Sequence, residues 1–212
     1  MSYKIRIVDA DWKKIEEKAL SSQIFSDDFV SQPLMHEYVV MYLANQRQST
    51  AHTKTRWEVQ RSGRKLYRQK WTWRARVGDA WSPIRRKWWV VFGPRKTTDW
   101  SKMMPKKMKQ KALCGSLTLK AQDNALVAVQ WLRFETPKTA QAFWLLTALE
   151  LDSTKTLLVS TGNDLGVAKS FANIPTITTV HIDTLNAYDI LAHKCVLFTD
   201  EALSVLESKF TS

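Results

Sequence analysis

The chain has 212 residues, with 32 Lys and Arg against 20 Asp and Glu, a formal net charge of +12 and two cysteines. That length supports a sizeable core, while two well-separated cysteines in apolar contexts, Cys114 and Cys195, exclude a disulfide scaffold and read as buried, reduced thiols. With no apolar leader and no apolar run near the length of a membrane span, the chain reads as a soluble cytoplasmic protein without a membrane partner.

In chain order, residues 4–8 (Lys-Ile-Arg-Ile-Val) alternate charged and apolar side chains and predict a short strand. Ser31 and Pro33 mark a helix start. Leu34, Tyr38, Met41 and Tyr42 then recur on one face, which predicts a helix to about Asn45 that packs on the domain. Residues 46–98 show neither a helical nor a strand period, and a stretch of that length inside a compact domain is either functional or disordered.

Charge decides between them. Twenty of the 32 basic residues and only three acids, Glu58, Asp79 and Asp99, fall within residues 47–111, leaving the rest of the chain slightly acidic. Like charges repel and extend a chain, so a fold does not need such a segment, whereas a polyanion does. A solvated face would carry mixed signs, and this segment is nearly all one sign. The expected organisation is one α/β globular domain over residues 1–212, interrupted at about 46–98 by a long basic extended loop. That loop should be largely disordered when free and order on nucleic acid.

A helical pattern resumes over residues 99–111, with Pro105 in its first turn and Met104, Met108 and Ala112 on one face. Lys106, Lys107, Lys109 and Lys111 crowd its beginning, where cations oppose the helix dipole, so an external anion explains them better than local stability does. The C-terminal half alternates short apolar runs at 126–129, 157–159, 179–182 and 195–198 with helical patterns at 138–151, 165–171, 188–192 and 201–210. Thr136 and Pro137 read as cap and first residue of the first of these helices. Continuous apolar strands separated by helices predict an open, mostly parallel sheet flanked by helices, a three-layer sandwich.

Along this framework stand Ala44-Asn45-Gln46-Arg47-Gln48-Ser49-Thr50-Ala51, Thr53-Lys54-Thr55-Arg56, Tyr67-Arg68-Gln69-Lys70, and Thr72 with Arg74-Ala75-Arg76. Ser82-Pro83, Phe92-Gly93-Pro94 and Met104-Pro105-Lys106-Lys107-Met108 follow, then Glu135-Thr136-Pro137-Lys138-Thr139, Ala172-Asn173-Ile174-Pro175 and Leu185-Asn186-Ala187-Tyr188-Asp189. Each is weak alone. In this order and spacing, across nearly the whole chain, they make it resemble the bacterial type of the large ribosomal subunit protein four family.

The resemblance implies a structural protein that binds large-subunit rRNA early in assembly, with neighbouring large-subunit ribosomal proteins as further partners. The α/β body would sit on the outer surface of the subunit. The loop would thread to the wall of the peptide exit tunnel, with its tip (Lys70, Trp71, Thr72, Trp73 and Arg74) near the constriction where macrolides bind. Some members also bind their own messenger leader and repress their operon, so that leader is a further RNA partner the resemblance allows. RNA contacts are expected from Arg47, Lys54, Arg56, Arg61, Arg64, Lys65, Arg68, Gln69, Lys70, Thr72, Arg74, Arg76, Arg85, Arg86, Lys87, Arg95, Lys102, Lys106 and Lys107. Such side chains neutralise phosphates, and arginine adds stacking and bidentate contact.

One pattern departs from the family. Glycine is 6 of 212 residues, about 3% against a usual share of about 7%, while tryptophan occurs ten times. Six of the ten, Trp57, Trp71, Trp73, Trp81, Trp88 and Trp89, lie in the basic segment, at positions where family members tend to carry glycine. The usual Lys-Gly-Thr-Gly-Arg reads Lys70-Trp71-Thr72-Trp73-Arg74. Trp12, after Asp11, and Trp131 are weaker cases, while Trp100 and Trp144 suit their contexts. Either the indoles stack on unpaired bases, or UGA codons meaning glycine in the source have been read as tryptophan. The second reading is favoured, because drift would scatter replacements over many residue types.

The alternative is a nucleotide-dependent RNA-modifying enzyme on a Rossmann-like domain. Ser160-Thr161-Gly162-Asn163-Asp164-Leu165-Gly166 follows a strand and opens a helix, but it lacks both the G-x-G-x-x-G and the P-loop spacing, and Asn163 or Asp164 reads better as a helix cap. His36, His52, His181 and His193 have no metal-ligand spacing, and His193 with Cys195 is no catalytic pair. No catalytic residue, cofactor or metal is expected.

Overall fold

The computed structural model describes residues 3–8, 14–82, 85, 90–130, 132, 134, 136–161 and 165–211. Trp12, Pro83, Arg86, Lys87, Trp88, Trp89, Trp131, Glu135, Gly162, Asn163 and Asp164, named above, lie outside the described residues. The chain divides into two compact units: Met1–Tyr42 with Met103–Ser212, and Leu43–Lys102.

In the first unit, apolar residues at successive strand positions serve two faces at once, because neighbouring side chains on a strand point to opposite sides. Strands β1 (Lys4–Val8), β2 (Lys14–Ala19), β3 (Leu126–Val129), β4 (Thr156–Ser160), β5 (Ile177–His181) and β6 (Cys195–Thr199) form one sheet in the order β2-β1-β3-β6-β4-β5. β1 pairs antiparallel with β2, and every other pairing is parallel. Leu126, Ala128, Leu157, Val159, Val196 and Phe198 face one core. It is closed by Cys114, Leu117 and Ala121 of α2 (Lys106–Gln122), Ile190 of α5 (Ala187–Ala192) and Leu203 and Leu206 of α6 (Asp200–Thr211). The alternate residues Val127, Val129, Leu158 and Leu197 face a second core, closed by Leu145 and Leu146 of α3 (Thr139–Ala148) and Val167 and Phe171 of α4 (Leu165–Phe171). This is the expected three-layer α/β sandwich with a mostly parallel sheet.

Helix α1 (Gln32–Asn45) ends where its pattern predicts. Leu34, Tyr38, Met41 and Tyr42 join Ala112, Ala187 and Tyr188 in a third cluster, in which the Tyr42 and Tyr188 rings stack at 4.7 Å. Gly115 lets α2 close on the preceding 3-10 turn, Asp27–Phe29, since a Cβ there would lie 2.4 Å from the Phe29 carbonyl oxygen.

Three expectations are corrected. The helix expected over 99–111 begins only at Lys106 and runs on to Gln122, because Pro105 is held extended at ψ 146° as the N-cap. Asp99 instead forms a local turn, accepting from Ser101 N at 2.8 Å and Ser101 Oγ at 2.9 Å. The cap of α3 is Lys138, not Thr136, and its amide donates to Ser170 Oγ at 3.1 Å. Cys195 is half-buried, whereas Cys114 is buried as expected, and both are free thiols.

The second unit is of a different kind. Past the end of α1 its described residues contain no helix or strand, only an isolated antiparallel bridge between Lys65 and Asp79. None of its described residues from Asn45 to Lys102 is buried.

Candidate nucleic-acid interface

A unit without a core must take its shape from polar ties, and in Leu43–Lys102 these gather on the few residues that are not basic. Asn45 closes the ends: its Nδ2 donates to the Lys102 carbonyl at 3.2 Å, and Lys102 N donates to its Oδ1 at 2.8 Å. The Arg47 guanidinium lies 3.7 Å from the Trp100 ring centre, a cation–π contact. Ser49 Oγ donates to the Arg95 carbonyl at 3.3 Å, and Thr53 N donates to the Pro94 carbonyl at 3.0 Å. A Cβ on Gly93 would sit 2.0 Å from Thr53 Oγ1, so glycine is what allows these two stretches to meet.

The three acids are structural. Glu58 accepts from Thr55 N at 2.8 Å and pairs with Arg95 at 3.3 Å. The Thr55 amide first, and then the Arg95 and His52 charges, hold its carboxyl below its ordinary value. Asp79 takes Arg61 as a close ion pair and Arg56 at 3.3 Å, while Arg61 Nε donates to the Arg56 carbonyl at 3.0 Å. Beside this clamp Leu66 N donates to the Gly78 carbonyl at 3.0 Å. Asp99 forms the turn at Ser101 already described.

The Glu58 tie has a pH signature. A carboxyl whose folded value is lowered contributes order that is present above its unfolded value and is lost as pH falls through the folded one. In an acid titration the Thr55 amide resonance should move with a midpoint below the ordinary glutamate value of about 4.3. A midpoint at or above that value would mean that the Glu58–Thr55 bond does not hold in solution.

These ties divide the expected RNA-contact set. Arg56, Arg61 and Arg95 are engaged by Asp79 and Glu58. Arg47 lies on Trp100, Arg68 donates to the Trp71 carbonyl at 3.0 Å, and Lys65 donates to Gln69 Oε1. Lys54, Arg64, Lys70, Arg74, Arg76 and Arg85 are exposed and have no carboxylate partner among the described residues. Lys102 is exposed, and Thr72 is half-buried. In the first unit Lys106 and Lys107 are exposed at the start of α2. Sequence reasoning counted Glu58, Asp79 and Asp99 only as missing positive charge, and named Asn45 as a helix end without its tie to Lys102. Their signal was rarity, since an acid in a cationic stretch is well placed to be the knot that holds it.

The alternative site gains no support. His193 binds the Asp189 carbonyl at 2.6 Å through Nδ1 and Thr178 Oγ1 at 3.0 Å through Nε2, so both ring nitrogens are engaged away from Cys195. Burial pushes the Cys114 thiol up to about 11, which makes it a core residue and not a nucleophile. Among the described residues no group of three or more His, Cys, Asp or Glu could hold a metal, and no helix is long and apolar enough to cross a membrane.

Fold and charge together define a three-layer α/β protein bearing a separate cationic unit. The sequence profile of the ribosomal protein L4/L1 family matches residues 18–209, and the chain belongs to that family. It is 39% identical over 207 residues to the large ribosomal subunit protein uL4 of Natranaerobius thermophilus, covering 98% of this chain and 99% of the relative. It is 40% identical over 205 residues to the protein of the same name from Symbiobacterium thermophilum, covering 96% and 97%. It is 39% identical over 203 residues to that of Dehalococcoides mccartyi, covering 96% and 95%.

Proposed function

We propose that the chain is a structural, non-enzymatic constituent of the large ribosomal subunit in the cytoplasm. It binds large-subunit rRNA through its cationic unit and lies against neighbouring ribosomal proteins there. The carrying observation is the concentration of exposed cations without a carboxylate partner in a unit none of whose described residues past α1 is buried, in a chain whose other unit has its own cores. Polyanion contacts neutralise that charge and order that backbone at the same time. Family membership and the names of the relatives support the ribosomal setting. The tip at residues 70–74 reaches the peptide exit tunnel in this reading. A messenger leader would present the same phosphate chemistry to the same cations.

Cells carrying Lys70→Gln or Arg74→Gln test both the setting and the reach of the tip. Neither side chain touches the core, so the variants should sediment with the large subunit as the unsubstituted protein does, while macrolide sensitivity changes. An unchanged drug response with normal incorporation would contradict the tunnel placement. Absence of the protein itself from the large-subunit fraction would contradict the ribosomal reading.

A further inference from the structure

Four described residues other than glycine hold a left-handed backbone: Trp71 (φ 65°), Trp73 (φ 52°), Asn124 (φ 52°) and Glu150 (φ 57°). Two of these are ordinary. Asn124 and Glu150 each stand one residue past the cap of a helix, α2 and α3, where a left-handed residue commonly closes the last turn. Trp71 and Trp73 close no helix. A bulky side chain in this region is crowded by its own main chain, and glycine is not.

Nothing in the fold compensates. Trp71 is 78% exposed and Trp73 100% exposed, so neither residue gains much burial. The shape of the tip is held by main-chain acceptors, with Arg68 donating to the Trp71 carbonyl at 3.0 Å and the Tyr67 hydroxyl donating to the Ala75 carbonyl. The indoles contribute nothing to it. Composition points the same way, with six glycines and ten tryptophans in 212 residues. UGA stands one base from the tryptophan codon UGG and one base from the glycine codon GGA, so one codon read under two codes would exchange these two amino acids.

We propose that the protein made in its own source carries glycine at positions 71 and 73, encoded by UGA, and that tryptophan arises from reading those codons under a different code. Trp57 and Trp81 share the compositional argument but not the left-handed backbone, so the inference is made for 71 and 73. Two glycines would leave bare main chain between Lys70 and Arg74, open to close approach by another backbone. That last consequence rests on the RNA reading, whereas residue identity does not.

The test is peptide mass mapping of the protein isolated from its source, across residues 69–76, together with the coding triplets. Glycine at both positions and UGA in both codons are expected. Tryptophan at either position, or UGG in either codon, overturns the proposal. Neither outcome depends on whether the protein binds RNA, so failure here is separable from failure of the functional reading.

Discussion

Replacing Lys54, Arg64, Lys70, Arg74, Arg76 and Arg85 together by glutamine should lower the slope of log affinity against log salt for large-subunit rRNA by roughly 4 to 5, at about 0.7 to 0.9 for each phosphate no longer neutralised. These six are among the exposed cations of the second unit that no described carboxylate engages. Each phosphate a cation neutralises releases condensed counterions, so the slope reports neutralised phosphates even where the absolute affinity depends on many small terms. Arg56, Arg61 and Arg95 are left in place, so the ties to Asp79 and Glu58 survive and the effect is not one of shape. The body should keep its unfolding midpoint, since none of the six lies in a core. A salt slope equal to that of the unsubstituted protein would show that phosphates are met elsewhere.

Phe198→Ala should cost about 3 to 5 kcal/mol of folding stability, the range for deleting a buried aromatic ring. Phe198 is fully buried in β6, which pairs with β3 on one side and β4 on the other. It packs against the α2, α5 and α6 face of the sheet. The sheet on both sides limits collapse into the space left behind, so the cavity term should be near its full size. A single domain has only about 5 to 15 kcal/mol in total, so the variant should sit close to its unfolding threshold. In urea the midpoint should fall with little change in the denaturant dependence. A destabilisation of less than about 1 kcal/mol would mean that β6 is not the centre of the sheet.

The elements that could be read from sequence are those where one physical signal dominates. β3 is apolar at all four positions because both its faces are covered, and such a run admits few readings. The face of α1 was visible because Leu34, Tyr38, Met41 and Tyr42 all point to one cluster. β2 went unseen because an edge strand needs only one neighbour, and Lys14-Ile15-Glu16-Glu17-Lys18-Ala19 is dominated by charge. The second half of α2 was hidden by Gly115, Ser116 and Thr118, weak helix formers that are nonetheless buried there. Packing overrides propensity at these positions: Gly115 is needed for the close approach to Phe29, and the Thr118 hydroxyl donates to the Cys114 carbonyl at 2.9 Å.

At the candidate interface, composition located the segment but not its internal division. A tally of charges treats Arg61 and Arg64 alike. The fold sets Arg61 on Asp79 and leaves Arg64 exposed, a difference that arises because Asp79 lies beside Lys65 in the bridge, a pairing no local pattern reveals. The excess of tryptophan was visible at once, but only the backbone separates Trp71 and Trp73 from the rest.

Hydrogen exchange on the whole protein, alone and with large-subunit rRNA, probes the source of order in the basic segment most directly. Cores hold the first unit, so amides of β3, β4 and β6 should be protected in both states. Amides from Gln46 to Thr98 should exchange far faster than these without RNA, because local polar ties offset only part of the entropy of ordering so long a stretch, and should become strongly protected when RNA is added. Equal protection of that stretch in the free protein, or none in the complex, would contradict the claim that its order comes from RNA.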